Sequence, residues 1–351
     1  MTDLRATHEQ PTATVPARRR RWWLRILVGV VAVALLFELG ARVLERWFID
    51  TPDGFNVPMI GGQVEAMEAV AADGGAEVLV LGSSVAGGVD PDLLDEVSAS
   101  YDGAFTLWSA GAGVQSMELL YEHLAAPILD PDVVVLTLSS RELNALGDGL
   151  GRNHRSLLTS PALQERSGGG SWLQQADRWA AERSALFRVR PVVRDPGRFY
   201  LALQAGQGDP DARPWEVWND PPVGWDGSEE HAAQERRALE SYRLEGPELD
   251  ALERLVRTIR DEGRRVVVAT MPVYEPVYDT YSQRGAADRE AFEAAVVDLC
   301  AELQVECLDV SAAGWEQAEF ANANHVNDVG TPRLTRILAD ALDAGAGPAS
   351  G

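Results

Sequence analysis

EVLVLGSSVAGGVD, residues 77–90, decides how the rest of the chain is read. An apolar run, Val78 to Leu81, breaks at Gly82 into Ser83 and Ser84, then into Ala86, Gly87 and Gly88. This is the pattern of a buried strand ending in a tight turn before a helix. In open α/β sheets the chemistry sits beyond the carboxyl ends of the strands. Ser83 or Ser84 is therefore placed to be a nucleophile or a ligand contact, although an ordinary strand-to-helix turn has the same local pattern.

Outward from this turn the same unit repeats. A helix is expected over 63–72, a strand over 77–81, and a second helix opening at Asp90-Pro91, where Asp caps and Pro suits the first turn. Strands follow at 105–108 and 133–138, with the small-residue turn 109–113 and a helix over 115–127 between them. Later come a helix over 247–262, a strand over 265–270 stopped by Pro272, a helix over 287–303 and a strand over 306–310. The turn-rich stretch 311–327 then leads through Thr331-Pro332 into a last helix ending near Ala344. Five apolar strands alternating with helices predict an α/β fold, a doubly wound, flavodoxin-like five-stranded parallel sheet buried on both faces.

The pattern lapses over about 144–245, which reads as an inserted subdomain. It carries SGGGS at 167–171, a turn-rich stretch at 209–227 and five tryptophans, Trp172, Trp179, Trp215, Trp218 and Trp225. Short helices are expected around 172–185 and 230–241. The tryptophans fit either a lid that stacks on sugars or acyl chains, or the core of a small subdomain.

The amino terminus carries a different signal. Residues 1–21 read as a polar, disordered tail ending in Arg18 to Arg21, and 22–44 as a transmembrane anchor with Trp22 and Trp23 at the interface. A cleaved secretory signal is the alternative. In both readings the arginines stay inside and the domain over 63–346 is exported behind a tether at 45–62. The formal net charge of −23, with all 31 basic residues arginine, disfavours nucleic acid as a partner. Outside the cytoplasm, Cys300 and Cys307 are either a local disulfide or two buried thiols. No metal-ligand cluster is evident, GSSVAGG lacks the dinucleotide-binding glycine spacing, and no cofactor is expected.

Distant support for a nucleophile comes from FANANHVNDVG, residues 320–330. His325 lies after the last strand and before the last helix, on the same rim of a parallel sheet as the turn after the first strand. A histidine able to take a serine proton is what an activated nucleophile needs. The α/β-hydrolase pattern fits less well, because GSSVA lacks the second glycine of G-x-S-x-G.

With these two blocks the sequence resembles the SGNH (GDSL-type) hydrolase and acyltransferase superfamily over about residues 75–345. The resemblance implies that Ser84 of Gly82-Ser83-Ser84 is the nucleophile. His325 is then the base in Asn322-Ala323-Asn324-His325, where Asn322 replaces the family's usual acid. It matches an oxyanion-hole amide to Gly113 of AGAGVQS, with Gly111 as the other alignment, beside the amide of Ser84. A third family block places Arg141, within SSREL, where an asparagine is usual. There it would donate to the oxyanion or hold an acidic substrate group, the plain alternative being a surface pairing with Glu142 or Asp148.

The Gly-Ser-Ser turn, the anchor and TMPVYEP at 270–276 are similar to the membrane-anchored branch of that superfamily. That branch includes the D-alanyl transfer protein of teichoic-acid modification and relatives that work beside membrane-bound O-acyltransferases. The likeness implies an acylated envelope glycan or lipid-linked substrate, and a membrane-bound O-acyltransferase as a candidate partner. The competing class is a non-catalytic binding or scaffolding protein that kept the fold while losing catalytic groups at 322 and 141.

Overall fold

The computed structural model describes residues 17–49, 57–145 and 229–346, together with 154, 157, 163, 166, 176, 179–180 and 183–188. Of these, 17–49, 179–180 and 183–188 belong to one compact unit and the rest to another. Residues 1–16 of the tail expected over 1–21, the glycine run at 167–171 and Trp172, Trp215, Trp218 and Trp225 lie outside the described residues, and residues 17–21 of that tail are helical.

In the larger unit five parallel strands stand in the order β2-β1-β3-β4-β5, which is the flavodoxin-like order. They are β1 (Val78–Gly82), β2 (Ala104–Trp108), β3 (Val133–Leu138), β4 (Arg265–Thr270) and β5 (Glu306–Asp309). Successive side chains alternate between the faces of a strand, so each apolar run feeds two cores. Leu79, Leu81, Val134, Leu136 and Val268 pack on one face with α2 (Val57–Ala72), α4 (Val114–Leu120), α8 (Pro247–Asp261) and α10 (Ala286–Leu303). Val78, Val80, Val133, Val135 and Val267 pack on the other with α3 (Pro91–Val97) and α11 (Gly330–Gly345). Asp90 caps α3 as expected, its Oδ1 accepting from the amides of Asp92 and Leu93. Edge strand β2 is covered by Gln63, whose side chain donates to the Trp108 carbonyl and accepts from the Trp108 amide. Pairing of this kind removes an open sheet edge.

Several elements differ from the expectation. Helix α2 begins at Val57, inside the stretch read as tether; its Val64 and Met67 are buried in the core, and Pro58 and the two glycines obscure its start in sequence. Residues 320–326, read as loop, form a two-stranded antiparallel hairpin of β6 (Phe320–Asn322) and β7 (His325–Val326). These strands are too short for an alternation to show. Within the inserted region α7 (Glu229–Leu239) matches one of the two short helices expected there. The remaining short helices are α5 (Ala126–Leu129), α6 (Ala185–Arg188) and α9 (Glu275–Tyr278).

Helix α1 (Ala17–Ile49) contains the one span among the described residues, Arg25–Val43, that is long and apolar enough to cross a membrane. At a rise of 1.5 Å per residue it reaches about 28 Å, close to the hydrocarbon thickness. Its apolar side chains are exposed on every side, including Leu27, Val31, Leu35, Leu36 and Leu39.

Cys300 and Cys307 are disulfide-bonded, tying the end of α10 to β5. Closing so short a loop restricts the unfolded chain by about 2–3 kcal/mol. A Cys300→Ser/Cys307→Ser double variant should lose that much stability in urea unfolding. No loss would show that the bond adds nothing to the packing already present.

Candidate active site

Gly82 pairs with Trp108 on one side and Thr137 on the other, so the turns after β1, β2 and β3 meet at one rim. A side chain at 82 would collide with β3, its Cβ lying 1.9 Å from Thr137 Oγ1. Past Gly82 the chain enters a 3₁₀ turn, Ser84–Gly88, and Ser83 caps it by accepting the Val85 amide. At Gly88 a Cβ would fall 2.6 Å from Val326 Cγ2. The lack of side chains lets the turn lie directly against β7.

That contact brings Ser84 to His325. Ser84 Oγ and His325 Nε2 are 2.8 Å apart, and His325 Nδ1 lies 2.8 Å from Asn322 Oδ1. Asn322 and His325 are opposite each other in the β6–β7 register, which is why their side chains meet across a two-residue turn. The same Oδ1 accepts the amides of His325, at 3.1 Å, and Asn324, at 3.3 Å. Two backbone donors can face only an acceptor, so the amide oxygen, not the NH₂, is turned toward the ring. Nδ1 must then carry the proton and donate it to Asn322, which leaves the Nε2 lone pair to accept the Ser84 hydroxyl. This is the tautomer a general base requires. Asn327 holds the hairpin to α11, its Oδ1 accepting the Val329 and Gly330 amides while its side-chain nitrogen donates to the Ala318 carbonyl. Ser84 and His325 are each 6% exposed, so the pair is screened from bulk water.

The turn after β3 holds the Ser83–Ser84 turn, through a residue the sequence did not single out. Glu142 accepts the Ser83 hydroxyl at 2.8 Å through Oε1, and through Oε2 the amide and hydroxyl of Ser139, both at 2.6 Å. It is 1% exposed. Burial pushes its carboxyl above the ordinary 4.5, against the opposing effect of the Ser139 and Ser83 bonds and the Arg141 charge. The one sequence signal was a carboxylate four residues past the end of a buried strand, behind Ser139, Ser140 and Arg141, a poor place for a charge without dedicated donors.

Arg141 requires a correction. It is not a surface residue paired with Glu142. Its guanidinium is buried, and Nη1 donates to Glu235 on α7. A buried guanidinium demands a carboxylate, and the inserted region supplies one that counting along the motif could not reveal. Asp148 lies outside the described residues. Gly113 stands just before α4 in extended backbone, and among the described residues neither its amide nor that of Ser84 donates to another group. A side chain at 113 would strike the Glu248 carboxylate, 2.5 Å from its Cβ. Gly111 has a left-handed backbone, φ 63°, and is engaged elsewhere.

No family model matches the sequence, and no curated protein does. Among solved structures, the chain is similar to an acetyl xylan esterase at 11% identity and a TM-score of 0.36, covering 76% of this chain and 98% of that one. It is also similar to a carbohydrate acetylesterase family member from Sinorhizobium meliloti at 12% identity and a TM-score of 0.35, covering 76% of this chain and 97% of that one. Similarity this distant leaves function to the geometry of the site.

A carboxyl whose pKa rises on folding keeps its proton longer in the folded state. Its stabilising effect is complete below the unfolded value and is lost as pH rises through the folded value. Comparing urea unfolding of wild type and Glu142→Gln from about pH 4 to about pH 8 should therefore show wild type losing ground to the variant as pH rises. A difference that stays constant with pH would mean the carboxyl is not raised.

Proposed function

We propose that this chain is a membrane-anchored serine ester hydrolase or O-acyltransferase of the SGNH type. The supporting observation is the relay Ser84–His325–Asn322, in which two backbone amides lock the asparagine oxygen and so fix the tautomer of the base. His325 Nε2 takes the Ser84 proton as Oγ attacks the acyl carbonyl carbon. The negative charge that develops on the carbonyl oxygen is received by the amides of Ser84 and Gly113. Collapse breaks the ester bond, the alcohol leaves with the proton from Nε2, and the acyl group remains on Ser84. Water or a sugar hydroxyl then gives its proton to Nε2 and attacks the acyl-enzyme, which restores Ser84.

The substrate class follows from the anchor and from the sequence resemblance: an acylated envelope glycan or a lipid-linked acyl donor, with the Arg18–Arg21 end of α1 inside and the catalytic unit outside. A membrane-bound O-acyltransferase is the partner that would supply or receive the acyl group. The second reading, a binding or scaffolding protein of the same fold, draws on the neutral Asn322 and on Arg141 being committed to Glu235.

A fluorophosphonate probe separates the two. Labelling of the full chain that disappears in Ser84→Ala supports the enzyme, and no labelling of wild type supports the binder. Ester turnover should fall by at least about three orders of magnitude in Ser84→Ala.

Asn322→Asp should raise kcat by about tenfold or more, because a carboxylate stabilises the imidazolium that an amide only orients. The gain should stop well short of the about 10⁴-fold lost in a serine protease whose aspartate becomes asparagine, since that loss includes a wrong tautomer and here the tautomer is already right. A folded Asn322→Asp variant with lower kcat would contradict this account of the base.

A further inference from the structure

Helix α1 is exposed nearly everywhere along its apolar span, with one exception. Ala41 is 3% exposed and Glu38, three residues earlier on the same side, is partly covered. The cover is supplied by Ser184, Ala185 and Leu186 of the inserted region. Glu38 Oε2 accepts the Ser184 hydroxyl at 2.7 Å and the Leu186 amide at 3.2 Å. Oε1 accepts the Ala185 amide at 2.9 Å and Arg42 Nε at 3.0 Å. Ala185 is fully buried and packs with Ala41, two small residues that allow backbones to approach closely.

A carboxylate within a membrane span is tolerated when dedicated donors meet it. Here one side chain and two backbone amides from a distant part of the chain meet Glu38. Glu38 lies five residues before Val43, the end of the span, or about 7 Å along the axis, within the roughly 5–10 Å that interfacial segments reach into the boundary between headgroups and acyl chains. A segment bonded to it at that depth meets lipid on its outer side. The side chains there suit that position: Trp179 is 60% exposed with the Arg183 guanidinium over its ring at 4.8 Å, and Leu186 is exposed. Tryptophan prefers the interface, and arginine can extend its charge to the headgroups.

We propose that residues 179–180 and 183–188 belong to a second membrane contact, an interfacial strap docked on the anchor through Glu38, with a lipid surface as its partner. The proposal rests on α1 being a membrane span. It gives the catalytic unit two covalent connections to the membrane, one before β1 and one between β3 and α7.

The only two cysteines are bonded to each other, so an introduced cysteine is the sole free thiol. Full-length Leu35→Cys, Leu186→Cys and Val297→Cys, each at an exposed position, would carry an environment-sensitive fluorophore in phosphatidylcholine vesicles doped with lipids spin-labelled in the upper acyl chain. Quenching at 35 and 186 but not at 297 is expected, and adding Glu38→Ala should reduce the signal at 186 at least about twofold while leaving 35 unchanged. Quenching at 35 without quenching at 186 overturns the strap and leaves the anchor standing. No quenching at 35 overturns the anchor and the strap with it. A signal at 186 unaffected by Glu38→Ala overturns the docking.

Discussion

Asn322 Oδ1 accepts three hydrogen bonds, from the His325 ring and from the amides of Asn324 and His325, and the direction of the base depends on that oxygen staying in place. The two-residue turn of the hairpin makes this possible, since it points consecutive amides back at the residue where β6 ends. The hairpin is in turn fixed by Asn327 to α11, and Gly88 lets the nucleophile turn lie against it. The relay therefore inherits its geometry from backbone hydrogen bonds and close packing, which cost little to keep rigid once the sheet is formed.

The same arrangement lets a neutral asparagine orient the imidazole. Orientation and charge are separable contributions of such a residue. Backbone amides secure the first at Asn322, and the second is absent there. Two buried acidic side chains of the same unit have structural partners: Glu142 holds Ser83 and Ser139, and Glu248 holds Gln115 through its amide and side chain. The Glu142 carboxyl beneath the Ser83–Ser84 turn has three donors, the Ser83 hydroxyl and the amide and hydroxyl of Ser139. Removing them singly would leave a buried acceptor short of partners, at about 1–3 kcal/mol each.

Much of this was legible in the sequence. Continuous apolar strands separated by helical periods gave the parallel sheet, and glycines bunched after Leu81 marked the turn that carries Ser84. His325 stood out because its place on the rim follows from strand count alone. What stayed hidden depends on pairing across the chain. Nothing local tells that Glu235 will face Arg141, 94 residues away, or that Glu142 will reach the Ser83 hydroxyl. The β6–β7 hairpin escaped because strands of three and two residues carry no readable alternation. The start of α2 escaped because Pro58, Gly61 and Gly62 imitate a linker.

The inserted region reads differently once these pairings are known. Glu235 enters the core with Arg141, Asn144 donates to the Ala238 carbonyl and accepts the Arg243 amide, and Ala145 donates to the Arg243 carbonyl. Helix α7 and the chain that follows it are thus bonded to the turn after β3, the turn that also holds Ser83 through Glu142. Breaking one half of a buried ion pair leaves an uncompensated charge and costs about 3–5 kcal/mol, whereas replacing both halves with apolar residues can cost nothing. The pair is therefore weak evidence for stability. Its effect is on placement: it sets where the inserted region joins the rim and links that junction to the serine turn through two adjacent residues, Arg141 and Glu142.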